Sequence, residues 1–393
     1  IMKKYLVLTF FLFFNCGGTP NSTNQVVEKT DTTDTTTSTL ADTTTSTLAD
    51  TTTSTLADTT TSTLADTTTS TTIVSNYCDD CDYLDIKEIG SNIGQVPKLA
   101  WSDYQRIMSE NSARDDIENF EIIINVGPTT ELYFLENESY IQKGINFWKN
   151  FILPEKYYAF FYSYNDLNWA SNELTSAGFE GDMARAPCRD GVCSGANSGI
   201  YQRSPHFGIG TYGINSKDSI DPYRYGPLHI HEITHSVVAA QWIGNARNPQ
   251  QAANDSTPCW LNEGIAHAAG ISLGVDTYEE YLEIRSSQVT GRHIQPPFND
   301  YSASTILNYY NESLPGICTK NPDYVLGYSI GYLTVEALNA MNGADSAMHM
   351  FSNMASGKNF EEAFEITYKL TWSDAKPIFA EYVSSVISEL FNS

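Results

Sequence analysis

The chain has 393 residues, with 22 Lys or Arg against 47 Asp or Glu and a formal net charge of -25. This excess of negative charge argues against nucleic acids and anionic lipid surfaces as partners. From residue 77 onward there are a little over 300 residues, enough for one domain with a sizeable hydrophobic core.

The first residues combine a short basic segment, Lys3 and Lys4, with an apolar run at 5–14. This pattern is typical of a secretory signal peptide and is too short to cross a membrane as a mature helix. Cys16 follows directly and resembles the cysteine of a lipoprotein signal, which becomes the acylated first residue. Ordinary cleavage is the alternative. We therefore predict a signal peptide at 1–16 and an exported protein. It is either secreted or anchored at the cell surface, and a lipid on Cys16 would be its only contact with a membrane.

A threonine-rich repeat follows the signal. The eight residues Asp-Thr-Thr-Thr-Ser-Thr-Leu-Ala recur from Asp34, Asp42, Asp50 and Asp58, with a partial copy from Asp66. The repeat has almost no large apolar side chains, so folding could not offset the entropy lost on ordering. We predict a disordered Thr/Asp-rich stalk over 17–76, which either holds a folded body away from a surface or is a simple spacer.

The chain has seven cysteines, and setting Cys16 aside for lipid leaves six. An even number in an exported chain predicts three disulfides, although six cysteines allow fifteen connectivities. The alternative is a structural zinc ion held by the first four of these six cysteines, Cys78, Cys81, Cys188 and Cys193. An oxidising compartment favours disulfides instead. Pairing of neighbours would join Cys78 to Cys81, Cys188 to Cys193 and Cys259 to Cys318.

The first half of the folded body contains both strand and helix patterns. Two apolar runs predict buried strands at 121–126 and 157–163, with an amphipathic helix at 140–152 between them. Residues 177–199 are rich in Gly, Asn and Cys. This composition predicts a long loop closed by a bond between its two cysteines, Cys188 and Cys193. A further strand is predicted at 206–214.

The second half is predicted to be helical. Asn359 and Glu362 have the spacing of a capping box at the start of one of these helices. A body that changes from mixed elements to helices predicts an α+β fold. The helical segments are predicted at 278–289, 324–341, 344–354, 360–370 and 374–390.

The strongest chemical signal is the run His231-Glu232-Ile233-Thr234-His235. Pro227 predicts the start of the helix that carries it, which should end near Trp242. Residues four apart share one helix face, so the rings of His231 and His235 can converge on one ion. This is a zinc-ligand spacing, and Glu232 can reach a water at the ion without being a ligand.

A second run, Trp260-Leu-Asn-Glu-Gly264, follows shortly downstream. A catalytic zinc site needs a third protein ligand and an open fourth position, and Glu263 supplies a carboxylate from a separate helix that Pro258 opens. The alternative pattern HExxHxxGxxH is excluded, because it requires Gly and His where the chain has Val238 and Gln241.

With these two motifs the chain resembles the gluzincin metallopeptidases, which include thermolysin-like and M1-type aminopeptidase-like enzymes. The resemblance implies a two-lobed metallopeptidase domain at 77–393, with a mixed-sheet lobe at about 77–243 and an all-helical lobe at about 244–393. It implies one catalytic Zn²⁺ held by His231, His235 and Glu263, and a peptide or protein substrate.

The resemblance also implies catalytic roles. Glu232 would take a proton from the attacking water and pass it to the leaving nitrogen. The segment from Tyr328 to residue 338 is similar to the helix that supplies an oxyanion-stabilising tyrosine in these enzymes, so Tyr328 is the candidate and Tyr324 the reserve. Among 24 tyrosines, however, any one is more often a packing residue.

In gluzincins an edge strand before the zinc helix binds the substrate backbone, a role that the resemblance gives to 206–214. In the aminopeptidases this strand carries a glutamate that holds the free amine. Here the run has Gly208, Gly210 and Gly213 but no acid. Endopeptidase action, or an exopeptidase specificity other than that of an aminopeptidase, is therefore the expectation.

Two further residues lie close to the carboxylate ligand in sequence. His267 shares the helix face of Glu263, where thermolysin-like enzymes have an acid that orients a ligand imidazole. His267 is expected either to line the substrate cleft or to pack in the core. Asn262 is a further candidate for contact with a ligand or substrate, and His229 is expected to be structural.

Two other functions use the same features. The first is a non-catalytic surface binding or adhesion module on a gluzincin scaffold. The second is a zinc amide hydrolase that acts on cell-wall material. The retained Glu232, which contributes little to ligation, favours an enzyme.

Overall fold

The computed structural model describes residues 82–113, 120–201, 206–292, 300–313, 315–316 and 324–392. The predicted signal peptide, the stalk, Cys16, Cys78, Cys81, Cys318 and the side chain of Tyr324 lie outside the described part. Within these ranges, no helix has both the length and the apolar content needed to cross a membrane.

The strands of the described chain all lie between the second helix and the fifth. The helices are α1 (Ile86–Ile89), α2 (Val96–Ser112), α3 (Asn137–Phe147), α4 (Leu167–Ser176), α5 (Pro227–Ala240), α6 (Pro249–Ser256), α7 (Cys259–Leu273), α8 (Tyr278–Ser287), α9 (Ala303–Glu312), α10 (Ile330–Asn342), α11 (Ser346–Ala355), α12 (Phe360–Tyr368) and α13 (Trp372–Asn392). The strands are β1 (Ile122–Val126), β2 (Tyr157–Tyr162), β3 (Cys188–Arg189), β4 (Val192–Cys193), β5 (Gly195–Ile200) and β6 (Gly208–Gly213). The predicted α+β class is confirmed, while the division into two lobes stays a prediction.

A four-stranded sheet has the order β1-β2-β6-β5. Strands β1, β2 and β6 are parallel, and β5 is antiparallel to β6. The strands predicted at 121–126, 157–163 and 206–214 are confirmed as β1, β2 and β6. The helix between the first two, α3, starts and ends earlier than the predicted 140–152.

The predicted loop at 177–199 is wrong in its last part. After a short 3-10 turn and the β3–β4 hairpin, the chain enters β5, which lies at the edge of the sheet. The 206–214 run is therefore an interior strand, and its predicted position at the edge is also wrong. The sequence of β5, Gly-Ala-Asn-Ser-Gly-Ile, lacks the alternation that marks a half-buried strand, because pairing with β6 rather than local preference forms it.

Gly210 gives β6 room for a buried tyrosine. A Cβ atom there would lie 2.1 Å from the hydroxyl oxygen of Tyr157 and 2.7 Å from the ring of Tyr212. The two hydroxyls are 3.0 Å apart, and Tyr157 is also 3.3 Å from the hydroxyl of Ser198. Ser198 in turn lies 2.9 Å from Ser236 on α5. These hydroxyls therefore join β2, β6 and β5 to the helix that carries the metal motif.

The five helical segments predicted in the second half are confirmed as α8 and α10–α13, with shifted ends. Asn359 and Glu362 form the predicted capping box at the start of α12. One boundary differs for a functional candidate: residues 324–328 form a 3-10 turn, and α10 begins only at Ile330. Tyr328 therefore lies before the helix and not on it.

Helices α7 and α10 are in backbone contact through two glycines. A Cβ on Gly264 would lie 2.4 Å from the carbonyl oxygen of Gly331, and a Cβ on Gly331 would lie 2.1 Å from the carbonyl oxygen of Trp260. Real Cβ atoms do not approach a backbone oxygen so closely, so a side chain at either position would force the helices apart. This contact positions Glu263 on α7 against the 3-10 turn before α10.

We expect Gly331→Ala to lower the free energy of unfolding by about 3 kcal/mol, at the upper end of overpacking effects, because the obstacle is backbone. Denaturant unfolding would measure this change. Gly94→Ala is the matched control, since a Cβ there meets nothing within 4 Å. Equal stabilities of the two variants would contradict the proposed close contact.

A buried ion pair ties together three helices of the second half. Arg285 on α8 donates to both carboxylate oxygens of Glu336 on α10, at 2.7 and 2.8 Å. Three tyrosine hydroxyls also donate to this carboxylate, from Tyr281, Tyr332 and Tyr382. A buried charge with this many donors is well compensated, so the network fixes the register of α8, α10 and α13.

A second buried carboxyl, Asp345 at the start of α11, has much less compensation: it faces Nε2 of His349 at 3.9 Å, and burial lowers the pKa of that imidazole. Burial and the neighbouring Asp103 raise its pKa from 3.8 to about 6. The folded protein thus binds this proton more tightly than the unfolded chain does, so the carboxylate lowers stability as the pH rises through about 6. Below about pH 4 it is protonated in both states and has no such effect.

Asp345→Asn should therefore be more stable than the wild type by about 2–3 kcal/mol at pH 8, with the difference vanishing near pH 4. Thermal unfolding at several pH values would measure it. The exposed Asp182 offers a control, because Asp182→Asn should change stability little at any pH. An Asp345→Asn protein that tracks the wild type from pH 4 to 8 would contradict this account.

The predicted disulfide between Cys188 and Cys193 is confirmed and closes the β3–β4 hairpin. It removes both sulfurs from the alternative structural zinc site. Cys259 is disulfide-bonded as well, and Cys318, its predicted partner, lies outside the described ranges.

Candidate metal centre

The metal motif lies on α5, which begins at Pro227 as predicted. Gly226 precedes it with φ 127°, a conformation that glycine tolerates, and the ring of Tyr140 fills the space where a Cβ would be. His231 and His235 lie one turn apart on this helix, and both are almost completely buried. Their Nε2 atoms face each other at 3.0 Å.

Glu263 on α7 completes the group. Its Oε2 lies 3.6 Å from Nε2 of His231 and 3.5 Å from Nε2 of His235. The two helices approach closely at Gly270, where a Cβ would lie 2.6 Å from the carbonyl oxygen of Pro227. The structure therefore brings together the three side chains that sequence spacing predicted as ligands.

The geometry of this group fits a metal ion. An ion with tetrahedral bonds of about 2.0–2.2 Å holds its ligand atoms about 3.3–3.6 Å apart, close to the separations seen here. Glu263 is fully buried, yet neither of its carboxylate oxygens has a hydrogen-bond partner within the described residues. Among those residues, this is the group in which three metal-binding side chains converge. A buried His-His-Glu set can hold a metal ion.

Glu232 lies beside this group but outside it. It is 2% exposed, and its Oε2 has no hydrogen-bond partner in the described chain. Burial, together with the charge of Glu263, raises its pKa to about 8, while His235 and Arg224 oppose the shift. A cation held by the three neighbouring side chains would also favour the carboxylate. The residue is therefore a buried carboxyl beside the candidate ligands that is not one of them.

The environment of His235 is set by two neighbours. Burial disfavours its charged form, but the carboxylate of Glu263 outweighs this and raises its pKa. The side chain of Asn262 also acts to raise the pKa of His235. Contact of Asn262 with a metal ligand or a substrate stays a prediction.

Tyr328, the predicted oxyanion donor, lies against the ligand pair. Its ring stacks near His231 at a centroid distance of 6.0 Å, and only 5% of the residue is exposed. The preceding residue, Gly327, sits directly on Glu263, because a Cβ there would lie 3.4 Å from the Cβ and Cγ of that side chain. The 3-10 turn is therefore packed onto the site, although the hydroxyl's role stays a prediction.

His229 is oriented differently from the ligands on the same helix. Its Nε2 lies 2.6 Å from Oδ1 of Asn137, and its ring stacks on Tyr212 and Phe161. Burial lowers its pKa to about 3, so it stays neutral and packs between α5 and the sheet. The expectation that His229 is structural agrees with this placement.

His267 lies on the far side of His231, with the two Nδ1 atoms 3.3 Å apart. The hydroxyl of Tyr223 is 3.0 Å from the same Nδ1 of His267. Sequence reasoning missed Tyr223, because it lies 44 residues before His267 in a short turn without a motif. Its only sequence signal is Asp221, whose side chain caps that turn.

Comparison of the chain with protein-family models, with curated proteins and with solved structures gives no match in any of the three.

Proposed function

We propose that this protein is an exported zinc-dependent peptidase of the gluzincin type that cleaves peptide bonds with an activated water. The observation that carries the proposal is the convergence of His231, His235 and Glu263, with the buried carboxyl of Glu232 left beside them. Two imidazoles and one carboxylate from two helices are the ligand set of catalytic zinc in this type of enzyme. The change from mixed elements to helices after α5 supports the proposed two-lobed architecture.

Each residue has a part in the proposed reaction. Zinc, when bound, lowers the pKa of a coordinated water to about 7 and polarises the substrate carbonyl. Glu232 accepts the proton of the attacking water and delivers it to the leaving nitrogen. This role suits a carboxyl whose pKa is raised well above 4.5 by burial. Tyr328 donates a hydrogen bond to the developing oxyanion.

Endopeptidase action is proposed rather than aminopeptidase action. An aminopeptidase needs an acidic side chain near the site to hold the free amine of its substrate. Neither the edge strand β5 nor its neighbour β6 carries an acidic side chain. A peptide would therefore be held without recognition of its amino terminus.

Product identification tests this proposal. The purified protein, loaded with zinc, would be incubated with a mixed pool of peptides and peptidoglycan fragments, and the products identified by mass spectrometry. We expect internal cleavage of peptides that a chelator abolishes and added zinc restores. Cleavage of cell-wall amides alone would support the amide hydrolase instead, and a zinc-bound protein inert toward the whole pool would support the binding module.

A further inference from the structure

The two ring nitrogens of His231 have separate partners. Nε2 faces His235 and Glu263, which identifies it as the atom available to a metal. Nδ1 points the other way and lies 3.3 Å from Nδ1 of His267. The imidazole of His267 therefore contacts His231 through Nδ1, on the side of the ring away from the other two candidate ligands.

The ring of His267 is itself tightly enclosed. The residue is 1% exposed, and the rings of Tyr223, Tyr328 and Tyr332 surround it at centroid distances of 4.9, 5.6 and 5.9 Å. Tyr332 is anchored in turn, because its hydroxyl donates to Glu336. These contacts leave His267 little freedom to rotate, so it can fix the orientation of a neighbouring ring.

Proton placement decides how the two imidazoles can bond. A hydrogen bond between two nitrogens needs one proton, and a neutral histidine that gives Nε2 to a metal carries its proton on Nδ1. Nδ1 of His231 is then the donor, and Nδ1 of His267 must present its lone pair. We propose that His267 is the positioning residue for His231, accepting its Nδ1–H as a neutral imidazole protonated on Nε2.

While no ion is bound, a neutral acceptor suits this site better than an acid would, whereas a bound cation would compensate the charge of an acid. Two buried carboxyls, Glu232 and Glu263, already lie beside the candidate ligand histidines. A third carboxylate would add negative charge to a buried region that has little solvent to screen it. An imidazole supplies the acceptor atom without that charge.

Tyr223 approaches the same atom of His267. An imidazole nitrogen has only one lone pair, so the tyrosine hydroxyl competes with His231 for it. Removing that hydroxyl should therefore leave metal affinity unchanged or tighter, while the aromatic packing remains.

Zinc affinity of three full-length variants tests the proposal, which rests on the metal site proposed above. Competition with a chromophoric chelator would give the zinc dissociation constants of His267→Phe, His267→Asp and Tyr223→Phe. We expect His267→Phe to bind zinc about 10–100-fold more weakly, and the other two to bind within about threefold of the wild type or tighter. If His267 only packs, the ranking reverses: Phe keeps the affinity and Asp loses it, and that result would overturn the proposal.

A second measurement reads the proton positions in the wild-type protein itself. Long-range ¹H–¹⁵N correlation spectra of zinc-loaded protein labelled in histidine report which ring nitrogen carries each proton. We expect His267, assigned by the signals absent from His267→Asp, to be protonated on Nε2 only. Protonation on Nδ1 would refute its role as an acceptor. A wild-type protein that binds no zinc would instead refute the metal site itself.

Discussion

Glu232→Gln is expected to abolish peptide cleavage while zinc binding stays within about threefold of the wild type, because we propose Glu232 as the proton acceptor and it is not part of the group of metal-binding side chains. Glutamine keeps the size of the side chain but cannot take a proton from water. General acid–base catalysis contributes about 10²–10⁴-fold, so the loss in kcat/KM should be at least of this order. Initial rates on an internally cleaved peptide and the zinc dissociation constant would be measured in parallel.

The matched control is Glu279→Gln on the exposed face of α8, which makes the same chemical change far from the motif. This variant should keep full activity. If Glu232→Gln retained a substantial part of the wild-type rate with zinc bound, the general base would have to be another group.

Glu263→Ala is expected to weaken zinc binding by more than 100-fold, because it removes a direct ligand, and loss of a group that only orients a ligand already costs about 10–100-fold. Zinc should also cease to stabilise the protein. A ligand at 100 times its dissociation constant stabilises the folded state by about 2.7 kcal/mol, so the wild type should melt at a clearly higher temperature with zinc than without it.

Calorimetry of both proteins, with zinc and with chelator, would measure this difference. Without metal, Glu263→Ala removes a buried carboxylate that has no hydrogen-bond partner in the described chain but leaves a cavity in its place, so the zinc-dependent change within each protein is the quantity to compare. Zinc that still raised the melting temperature of Glu263→Ala by the wild-type amount would place the binding site elsewhere. Glu279→Ala, on the exposed face of α8, should respond to zinc like the wild type.

Sequence spacing predicted the pair of histidines in the site well, because helix geometry alone fixes it. Residues 231 and 235 must share a face of any helix that contains them, and the apolar run around Glu263 indicated a second buried helix. The capping box at Asn359 and the strands β1, β2 and β6 were equally local signals. Each of these elements is specified by residues that are close together in the chain.

Other features depend on contacts between distant residues and left no local signal. Strand β5 has a sequence without strand character and forms only because β6 offers a partner. The backbone contact of Gly264 with Gly331 joins residues 67 positions apart, and neither glycine marks a turn. The placement of Tyr223 against His267 likewise follows from packing between separate segments of the chain.

The most direct test of the account is an anomalous diffraction map of zinc-loaded crystals, recorded at the zinc absorption edge. The account predicts one peak about 2.0–2.2 Å from Nε2 of His231, Nε2 of His235 and a carboxylate oxygen of Glu263, with Glu232 outside the coordination shell. A map without a peak there, or one in which Glu232 ligates the ion in place of Glu263, would contradict it.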